Sequence, residues 1–275
     1  MFFVFGSPRS GTTLLARMLN AHPDLAVPHE TDGIVPLCLL HDRIPDPVLR
    51  RRLISEMFVA TRRFAAGIGD YLDAPTVTKI LQEAEDSPAA MLRAVYAGVA
   101  GASGARMAGD KTPNDLNQIR VLDRAGLLAA PNRCIHIVRD VRDVLASLLA
   151  RGWSDGLERY FARQWSQANL YLAQMAPPTQ YLLLRYEDLV RDPEAELERA
   201  CAFLGVAFDA CMLESDARRH PRYDAAPQHA RLALPVDTAA IGAFRHSLDP
   251  ALANTFLEQA VEAMHAFGYA PRTLS

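Results

Sequence analysis

Residues 2–5 read FFVF, residues 6–13 read GSPRSGTT and residues 14–19 read LLARML. The first stretch is a short apolar run that ends at a glycine, which is typical of a buried strand. The last stretch has apolar residues at helical spacing. A strand, a glycine-containing loop and a helix in this order direct backbone N–H groups and a helix N-terminus toward one point, which suits phosphate or sulfate oxygens. This segment therefore predicts an α/β fold with an anion site at the loop.

The loop matches the nucleotide-binding pattern G-x-x-x-x-G-K-[ST] except that Thr12 stands where the pattern has lysine. A nucleoside triphosphatase uses that lysine on the β- and γ-phosphates and the neighbouring hydroxyl on Mg²⁺. With Thr12 in place of the lysine, Arg9 supplies a positive charge at a different point of the loop. This arrangement favours a donor with one terminal anionic group on a 5′-phosphate. A tight turn that holds no ligand is the alternative interpretation. The residues expected to contact the donor are Ser7, Pro8, Arg9, Ser10, Gly11, Thr12 and Thr13.

Further short apolar runs alternate with longer helical patterns, as in parallel strands joined by crossover helices. The predicted fold class is α/β, a P-loop-like parallel sheet flanked by helices. Helices are expected after Gly11, Asp140 and Pro193, with a final one over residues 250–267. The predicted strands span residues 2–5, 25–27, 106–108, 134–138 and 181–184.

The domain organisation follows from length and punctuation. With 275 residues, half of them hydrophobic, the chain can bury one substantial core, and we expect a single domain over residues 1–275. Residues 33–104 predict a helical cap insertion, in which the arginines at 50–52 and 62–63 are interpreted as exposed helix faces. Residues 215–242 lack clear periodicity and predict an irregular loop over the site.

The composition excludes several functions. Lys and Arg total 29 against 32 Asp and Glu, so a net charge of −3 provides no global positive field for nucleic acid. The four cysteines form no C-x-x-C pair, and neither a disulfide scaffold nor a zinc site is expected. The N-terminus has the pattern of a strand rather than a signal peptide, and no window reaches the ~20 apolar residues of a membrane span. We therefore expect a cytoplasmic protein with no membrane span.

A second anion site is predicted where the apolar strand at residues 134–138 ends in Arg139, since ligands collect at the carboxyl ends of strands in open α/β sheets. Ser147 and Arg151 are four residues apart and share a face of the following helix. Together these side chains predict a socket for a separate phosphate. In the alternative interpretation, the two arginines form surface ion pairs with Asp140, Asp143 or Asp155.

Several segments together resemble the sulfotransferases that use 3′-phosphoadenosine 5′-phosphosulfate (PAPS). Their order and spacing are similar to the branch that contains the tyrosylprotein sulfotransferases and many bacterial small-molecule enzymes. The likeness covers the first 30 residues and most of residues 106–206. The segments that carry it are Gly6–Leu15, HPD at 22–24, ET at 30–31, GDKTP at 109–113, VRD at 138–140 with Ser147 and Arg151, and RYEDL at 185–189.

This resemblance implies how the donor is bound and how it reacts. The glycine loop would hold the 5′-phosphosulfate with Arg9 on its oxygens, and Tyr186 would lie near the nucleotide. The 3′-phosphate would be bound by Arg139, Ser147 and Arg151. The product would be adenosine 3′,5′-bisphosphate (PAP), and no metal would be required.

The resemblance also implies the catalytic residues. Glu30 aligns with the general base and Lys111 with a lysine that steadies the transferring sulfuryl group, while Arg9 assists from the loop. By analogy with phosphoryl transfer, the reaction should be in-line, with positioning and charge stabilisation dominant. The alternatives are that Glu30 is a solvated loop residue or a helix cap, and that Lys111 pairs with an aspartate, either Asp110 or Asp115. His22 and His29 are neighbouring candidates for the base, with His29 kept in reserve.

The acceptor is predicted only by class. Asp32 stands where tyrosylprotein enzymes carry an arginine that helps to hold an acidic peptide, which argues against protein tyrosine. We expect a hydroxyl, or less readily an amine, of a small molecule such as a sugar, phenol, lipid or secondary metabolite. Two rival functions are a P-loop nucleotide kinase or triphosphatase, with Asp110 as its Mg²⁺ ligand, and an inactive nucleotide-binding module. The sequence does not predict the oligomeric state.

Overall fold

The computed structural model describes residues 1–152, 156–214 and 236–271. Its centre is a five-stranded sheet with the order β2-β3-β1-β4-β5, in which every neighbouring pair is parallel. The predicted α/β class with a parallel sheet is confirmed, and the strand ends differ from prediction by one or two residues. The strands are β1 (Phe2–Phe5), β2 (Leu25–Ala26), β3 (Met107–Asp110), β4 (Arg133–Val138) and β5 (Tyr181–Arg185).

The helices account for the larger part of the described chain. Several begin at an aspartate or serine that accepts a backbone N–H, followed directly by proline or alanine-proline, as at Asp46, Asp73 and Ser87. The helices are α1 (Thr12–Ala21), α2 (Ile34–Arg43), α3 (Pro47–Ala60), α4 (Ala74–Glu83), α5 (Pro88–Ser103), α6 (Ile119–Arg124), α7 (Val141–Leu149), α8 (Glu158–Met175), α9 (Tyr186–Arg191), α10 (Pro193–Leu204), α11 (Phe244–Ser247) and α12 (Pro250–Ala266). Short 3₁₀ turns lie at Ile68–Asp70, Pro113–Gln118, Pro178–Gln180 and Ala210–Leu213.

The central strand β1 is buried on both of its faces. Phe2 and Val4 point into an apolar cluster with α1 and α10, while Phe3 and Phe5 point into a second cluster on the opposite face. Because both faces of β1 are buried, each of its residues is apolar, as in the sequence FFVF.

The segment between β2 and β3 consists mainly of the helices α2, α3, α4 and α5. These helices contribute Phe58 and Val95, among others, to the cluster that holds Phe3 and Phe5. The prediction of exposed arginines in this segment is right for Arg52 and Arg62. It is wrong for three others. Arg50 pairs with Asp86, Arg51 donates to the carbonyl of Gln82 at 2.9 Å, and Arg63 turns inward, because each can reach an acceptor on a neighbouring element.

The parallel order brings the carboxyl ends of the strands to one edge of the sheet. The residues that directly follow β1, β3, β4 and β5 are Gly6, Lys111, Arg139 and Tyr186. Segments far apart in sequence therefore meet at this edge.

Within the described ranges, no helix combines the length and the apolar character that crossing a membrane requires.

Candidate active site

The loop after β1 has an unusual backbone. Arg9 has φ of 72° and Gly11 has φ of 93°, both in the left-handed region. A Cβ atom at Gly11 would lie 2.5 Å from Cδ2 of Tyr186, so glycine is required there for its conformation and for the close approach of the ring. For Arg9 this conformation costs on the order of 1 kcal/mol, which the surrounding contacts must offset. Strain of this kind is found where a loop is shaped for a ligand.

The loop and the start of α1 leave polar groups available to an anion. Ser10 is fully buried, and its hydroxyl has no hydrogen-bond partner among the described residues. The first turn of α1 carries no acidic residue that would neutralise the helix N-terminus. Thr12, in the place of the P-loop lysine, is buried as the first residue of this helix. The loop therefore fits a phosphate or sulfate group.

Arginines from two elements meet at one hydroxyl beside the loop. Arg9 Nε donates to Ser147 Oγ at 3.1 Å, and Arg151 Nη1 donates to the same oxygen at 3.1 Å. Arg139 Nη1 donates to the backbone carbonyl of Arg9 at 3.0 Å. The structure thus brings together the three arginines and the serine that the sequence assigns to the donor.

These positive charges act on one another. Burial, and then the charges of Arg151 and Arg139, lower the pKa of Arg9 to about 10. In the alternative interpretation, aspartates pair with the arginines of this cluster. Asp140 does not do so, because it pairs with Arg142 at 2.6 Å. Asp143 accepts from the N–H groups of Gly242 and Phe244, at 2.7 and 3.0 Å. Burial raises the pKa of Asp143, and the charge of Arg139 partly opposes this shift without forming an ion pair. The third candidate, Asp155, lies outside the described residues.

Tyr186 covers the other side of the cluster. The guanidinium carbon of Arg139 lies 4.6 Å from the centre of the Tyr186 ring, which is a cation–π distance. Arg139 Nη2 also donates to the carbonyl of Ala240 at 2.6 Å. Ala240 belongs to the described end of the predicted irregular loop at 215–242, of which residues 215–235 lie outside the described residues.

The fully buried Lys111 connects the loop to a carboxylate. Its Nζ donates to Glu30 Oε1 at 2.6 Å and to Thr13 Oγ1 at 3.3 Å. An ammonium group therefore reaches the loop from the end of β3, although the loop itself has no lysine. The partner of Lys111 is Glu30 rather than Asp110 or Asp115, the partners in the alternative interpretation.

The segments that carry Glu30 and Lys111 are joined through the residues that follow each of them. The N–H of Thr31 donates to Thr112 Oγ1 at 3.1 Å, and that hydroxyl donates to the carbonyl of Thr31 at 3.0 Å. All of these groups are buried, so the register between the two segments is fixed.

A residue that the sequence analysis assigned to the surface completes the carboxylate site. Arg63 Nη1 donates to Glu30 Oε2, and Arg63 Nε lies 3.4 Å from Asp32 Oδ1. Both oxygens of Glu30 are therefore held by cations. Arg63 follows α3 in a stretch with no motif, and the only signal for it was the pair of acidic residues at 30 and 32.

Two buried aspartates lie behind Lys111. Asp110 accepts from the Tyr96 hydroxyl at 2.6 Å, and burial raises the pKa of Asp110 to about 6. Burial, followed by the charges of Asp110 and Asp32, raises the pKa of Asp115 well above its ordinary value. Burial thus disfavours the charged form of both carboxyl groups.

The histidine candidates for the base differ in position. His22 Nε2 donates to the carbonyl of Ala207 at 2.6 Å, and His22 Nδ1 accepts from the N–H of Asp24 at 3.0 Å. Both ring nitrogens are thus used in holding the end of α1, which makes His22 a structural residue. His29 directly precedes Glu30, and its reserve role stays a prediction.

The fold and site define an α/β protein whose glycine loop lies between a basic pocket and a lysine–carboxylate pair. Within the described ranges, no group of three or more His, Cys, Asp or Glu side chains is arranged to hold a metal ion. A family model described as "Sulfotransferase family" matches residues 2–210. The chain therefore belongs to the sulfotransferase family.

Individual relatives agree with this membership. The sulfotransferase domain of the Synechococcus PCC 7002 olefin synthase is similar with a TM-score of 0.70 and 25% identity, over 98% of this chain and 94% of that one. Mouse sulfotransferase SULT7A1, solved in complex with PAP, has a TM-score of 0.52 and 15% identity, over 96% of this chain and 83% of that one. A Caenorhabditis briggsae protein named "Putative protein-tyrosine sulfotransferase" is 25% identical over 221 residues, which is 78% of this chain and 68% of that protein.

Proposed function

We propose that this chain transfers a sulfuryl group from PAPS to a hydroxyl, or less readily an amine, of a small-molecule acceptor. One observation carries the proposal: Lys111 contacts both Thr13 of the anion loop and Glu30, so a candidate base lies directly beside the loop. The chain would work as one domain over residues 1–275, with the segment 33–104 as a cap that supplies Arg63 to the site.

The donor would be held at two points. The 5′-phosphosulfate fits the loop, where the Ser10 hydroxyl is buried without a described partner. Burial, and then repulsion by Arg151 and Arg139, lowers the pKa of Arg9. The 3′-phosphate fits the socket of Arg139, Ser147 and Arg151, since a dianion would offset that repulsion. The PAP in the mouse neighbour supports this choice of donor. Phosphate charge is then met by arginines and backbone N–H groups of this chain.

The transfer itself makes one S–O bond and breaks another. The acceptor oxygen attacks sulfur, the bond from sulfur to the phosphate oxygen breaks, and PAP leaves with that electron pair. The acceptor proton goes to Glu30. Because the transition state is loose, the main work of the residues is to place the groups in line and to stabilise charge on the leaving oxygen.

Glu30 becomes a stronger base when one of its oxygens is released from its ion pair. Oε1 is held by Lys111 and Oε2 by Arg63. Lys111 already reaches Thr13, so it can exchange the carboxylate for an anionic oxygen at the loop. This exchange frees Oε1 as the base and places the ammonium beside the leaving oxygen. Arg63 keeps the carboxylate oriented during the exchange.

The charge balance around Glu30 favours an acceptor without a large negative charge. Two carboxylates, Glu30 and Asp32, face two cations, Lys111 and Arg63. An acidic peptide would bring further negative charge beside Asp32. A neutral hydroxyl compound avoids that repulsion, which supports the small-molecule class.

The proposal is tested by following PAP release from PAPS by mass spectrometry. The purified protein is incubated with a panel of sugars, phenols, sterols and fatty alcohols, with EDTA or Mg²⁺. We expect acceptor-dependent PAP release that is unchanged by EDTA. ATP turnover that needs Mg²⁺ would support the kinase alternative instead, and PAP binding with no turnover on any class of acceptor would support the inactive module.

A further inference from the structure

A series of hydrogen bonds leads from the start of β5 to the anion loop. Asn169 Nδ2, on α8, lies 3.2 Å from Ser7 Oγ. Asn169 Oδ1 lies 2.7 Å from His136 Nε2, on β4. His136 Nδ1 lies 2.7 Å from the hydroxyl of Tyr181, at the start of β5. Asn169 and His136 are fully buried, so three elements of the core converge on one loop serine.

The donor and the acceptor of each hydrogen bond in this series follow from the contacts of Asn169. Asn169 Nδ2 also donates to the backbone carbonyl of Trp165 at 2.5 Å, so its two protons serve Trp165 and Ser7. The amide oxygen of Asn169 must then accept, and His136 Nε2 carries the proton. His136 Nδ1 therefore accepts from the Tyr181 hydroxyl. Burial lowers the pKa of His136 to about 4, which keeps the ring neutral and preserves this order at physiological pH.

The hydrogen bond from Asn169 restricts the direction of the Ser7 hydroxyl proton. The Ser7 oxygen accepts a hydrogen bond from Asn169, so its own proton must be directed elsewhere. Ser7 lies in the loop where we place the donor, and an anionic oxygen is an acceptor only. A hydroxyl whose proton is turned toward an anion binds it better than one that is free to rotate.

We propose that Asn169 is a positioning residue that orients the Ser7 hydroxyl as a donor to the anion in the loop, and that His136 and Tyr181 hold Asn169 in the required orientation. This inference rests on the proposed function only in taking the anion to be part of the nucleotide. It adds a role for α8 in donor binding, although α8 contributes none of the side chains assigned above to the donor.

A double-mutant cycle separates this role from simple structural support. The affinity for PAP is measured by calorimetry for the wild type, Ser7→Ala, Asn169→Ala and the double variant. Asn169→Ala should weaken PAP binding roughly tenfold in the wild-type background, the range expected for a hydrogen bond to a charged group. In the Ser7→Ala background the same change should have less than about a twofold effect, because Asn169 acts through Ser7. Equal losses in both backgrounds, or no loss at all, would overturn the proposal.

A gentler variant covers the case in which Asn169→Ala does not fold. Tyr181→Phe removes only the hydroxyl at the far end of the series and should weaken PAP binding in the wild-type background but not in the Ser7→Ala background. The same loss in both backgrounds, or an unchanged affinity, would contradict the inference. If the wild type binds no PAP, the donor assignment fails separately, and the cycle is then read with inorganic pyrophosphate as the probe.

Discussion

The two sides of the glycine loop treat charge in opposite ways. On the donor side, Arg9 and Arg151 donate to Ser147 and Arg139 donates to the backbone of Arg9, and within the described chain no carboxylate forms an ion pair with any of the three. On the acceptor side, the carboxylates of Glu30 and Asp32 both have cationic partners. Lys111 and Arg63 hold Glu30, and Arg63 also reaches Asp32.

This difference separates binding from chemistry. The donor side carries three arginines for which the described residues offer no ion pair, so it is suited to attract a nucleotide. The acceptor side holds the candidate base in ion pairs, and in the proposed mechanism Lys111 moves from Glu30 toward the loop. Substitutions on the donor side should therefore change affinity, and substitutions on the acceptor side should change turnover.

The largest effect is expected for Glu30→Gln. Loss of a general base should lower kcat by roughly 10²–10⁴-fold. PAP affinity should stay within a small factor of wild type, because Glu30 is not part of the arginine socket. Turnover is followed by PAP release and binding by calorimetry. A wild-type kcat would remove Glu30 from the mechanism and leave His29 as the candidate base.

The next effect is expected on the donor side. Arg151→Ala is the simpler change there, because the Arg151 side chain donates to Ser147 and does not support the loop backbone. PAP binding should weaken roughly 10- to 100-fold, as for loss of a charge-assisted contact, while AMP binding should change little. Arg139→Ala should show the same selectivity with an added general loss, since Arg139 also supports the loop backbone.

Arg159→Ala, at an exposed position, is the matched control for these arginines. It should leave both affinities unchanged. Equal losses of PAP and AMP in Arg151→Ala would show that the socket does not bind the 3′-phosphate.

A smaller effect on turnover is expected for Arg63→Ala. The change frees Glu30 Oε2 and leaves the carboxylate less well oriented, so kcat should fall about tenfold while the donor KM is unchanged. Arg63→Lys should recover part of the rate. The neighbouring exposed Arg62→Ala is the control and should match the wild type. A rise in donor KM without a change in kcat would place Arg63 on the donor side instead.

The smallest effect concerns stability. The pKa of Asp115 is raised in the folded state, so the unfolded chain releases this proton at lower pH and folding stability falls as pH rises above about 4. Asp115→Asn removes that proton release. Its free energy of unfolding should exceed the wild-type value by an amount that grows as the pH rises above about 4.

Urea unfolding at several pH values measures this gain, with the exposed Asp42→Asn as control. A gain that is constant with pH would show that Asp115 is ionised in the folded protein.

Local patterns were sufficient to predict the loop and the strands. The run Phe2–Phe5, the loop glycines and the helix after Gly11 are adjacent in sequence, and their propensities agree with one another. Because parallel strands end at one edge, Arg139 and Lys111 could also be placed near the loop once the family resemblance was considered.

Contacts made by packing alone could not be predicted. Arg63 reaches Glu30 because of how the helices α2 to α5 pack against the sheet, and Asn169 reaches Ser7 across 162 positions of sequence. Neither residue belongs to a motif. The resemblance implied that Lys111 acts on the sulfuryl group, but its contact with Thr13 depends on the order of the strands.

The most direct test of the account is a calorimetric titration of the wild-type protein with PAP, AMP and ATP, each with EDTA and with Mg²⁺. The account predicts tight binding of PAP that does not depend on the metal, weaker binding of AMP, and weak binding of ATP. ATP bound more tightly than PAP, and only with Mg²⁺, would contradict the assignment of the arginine socket and of the reaction built on it.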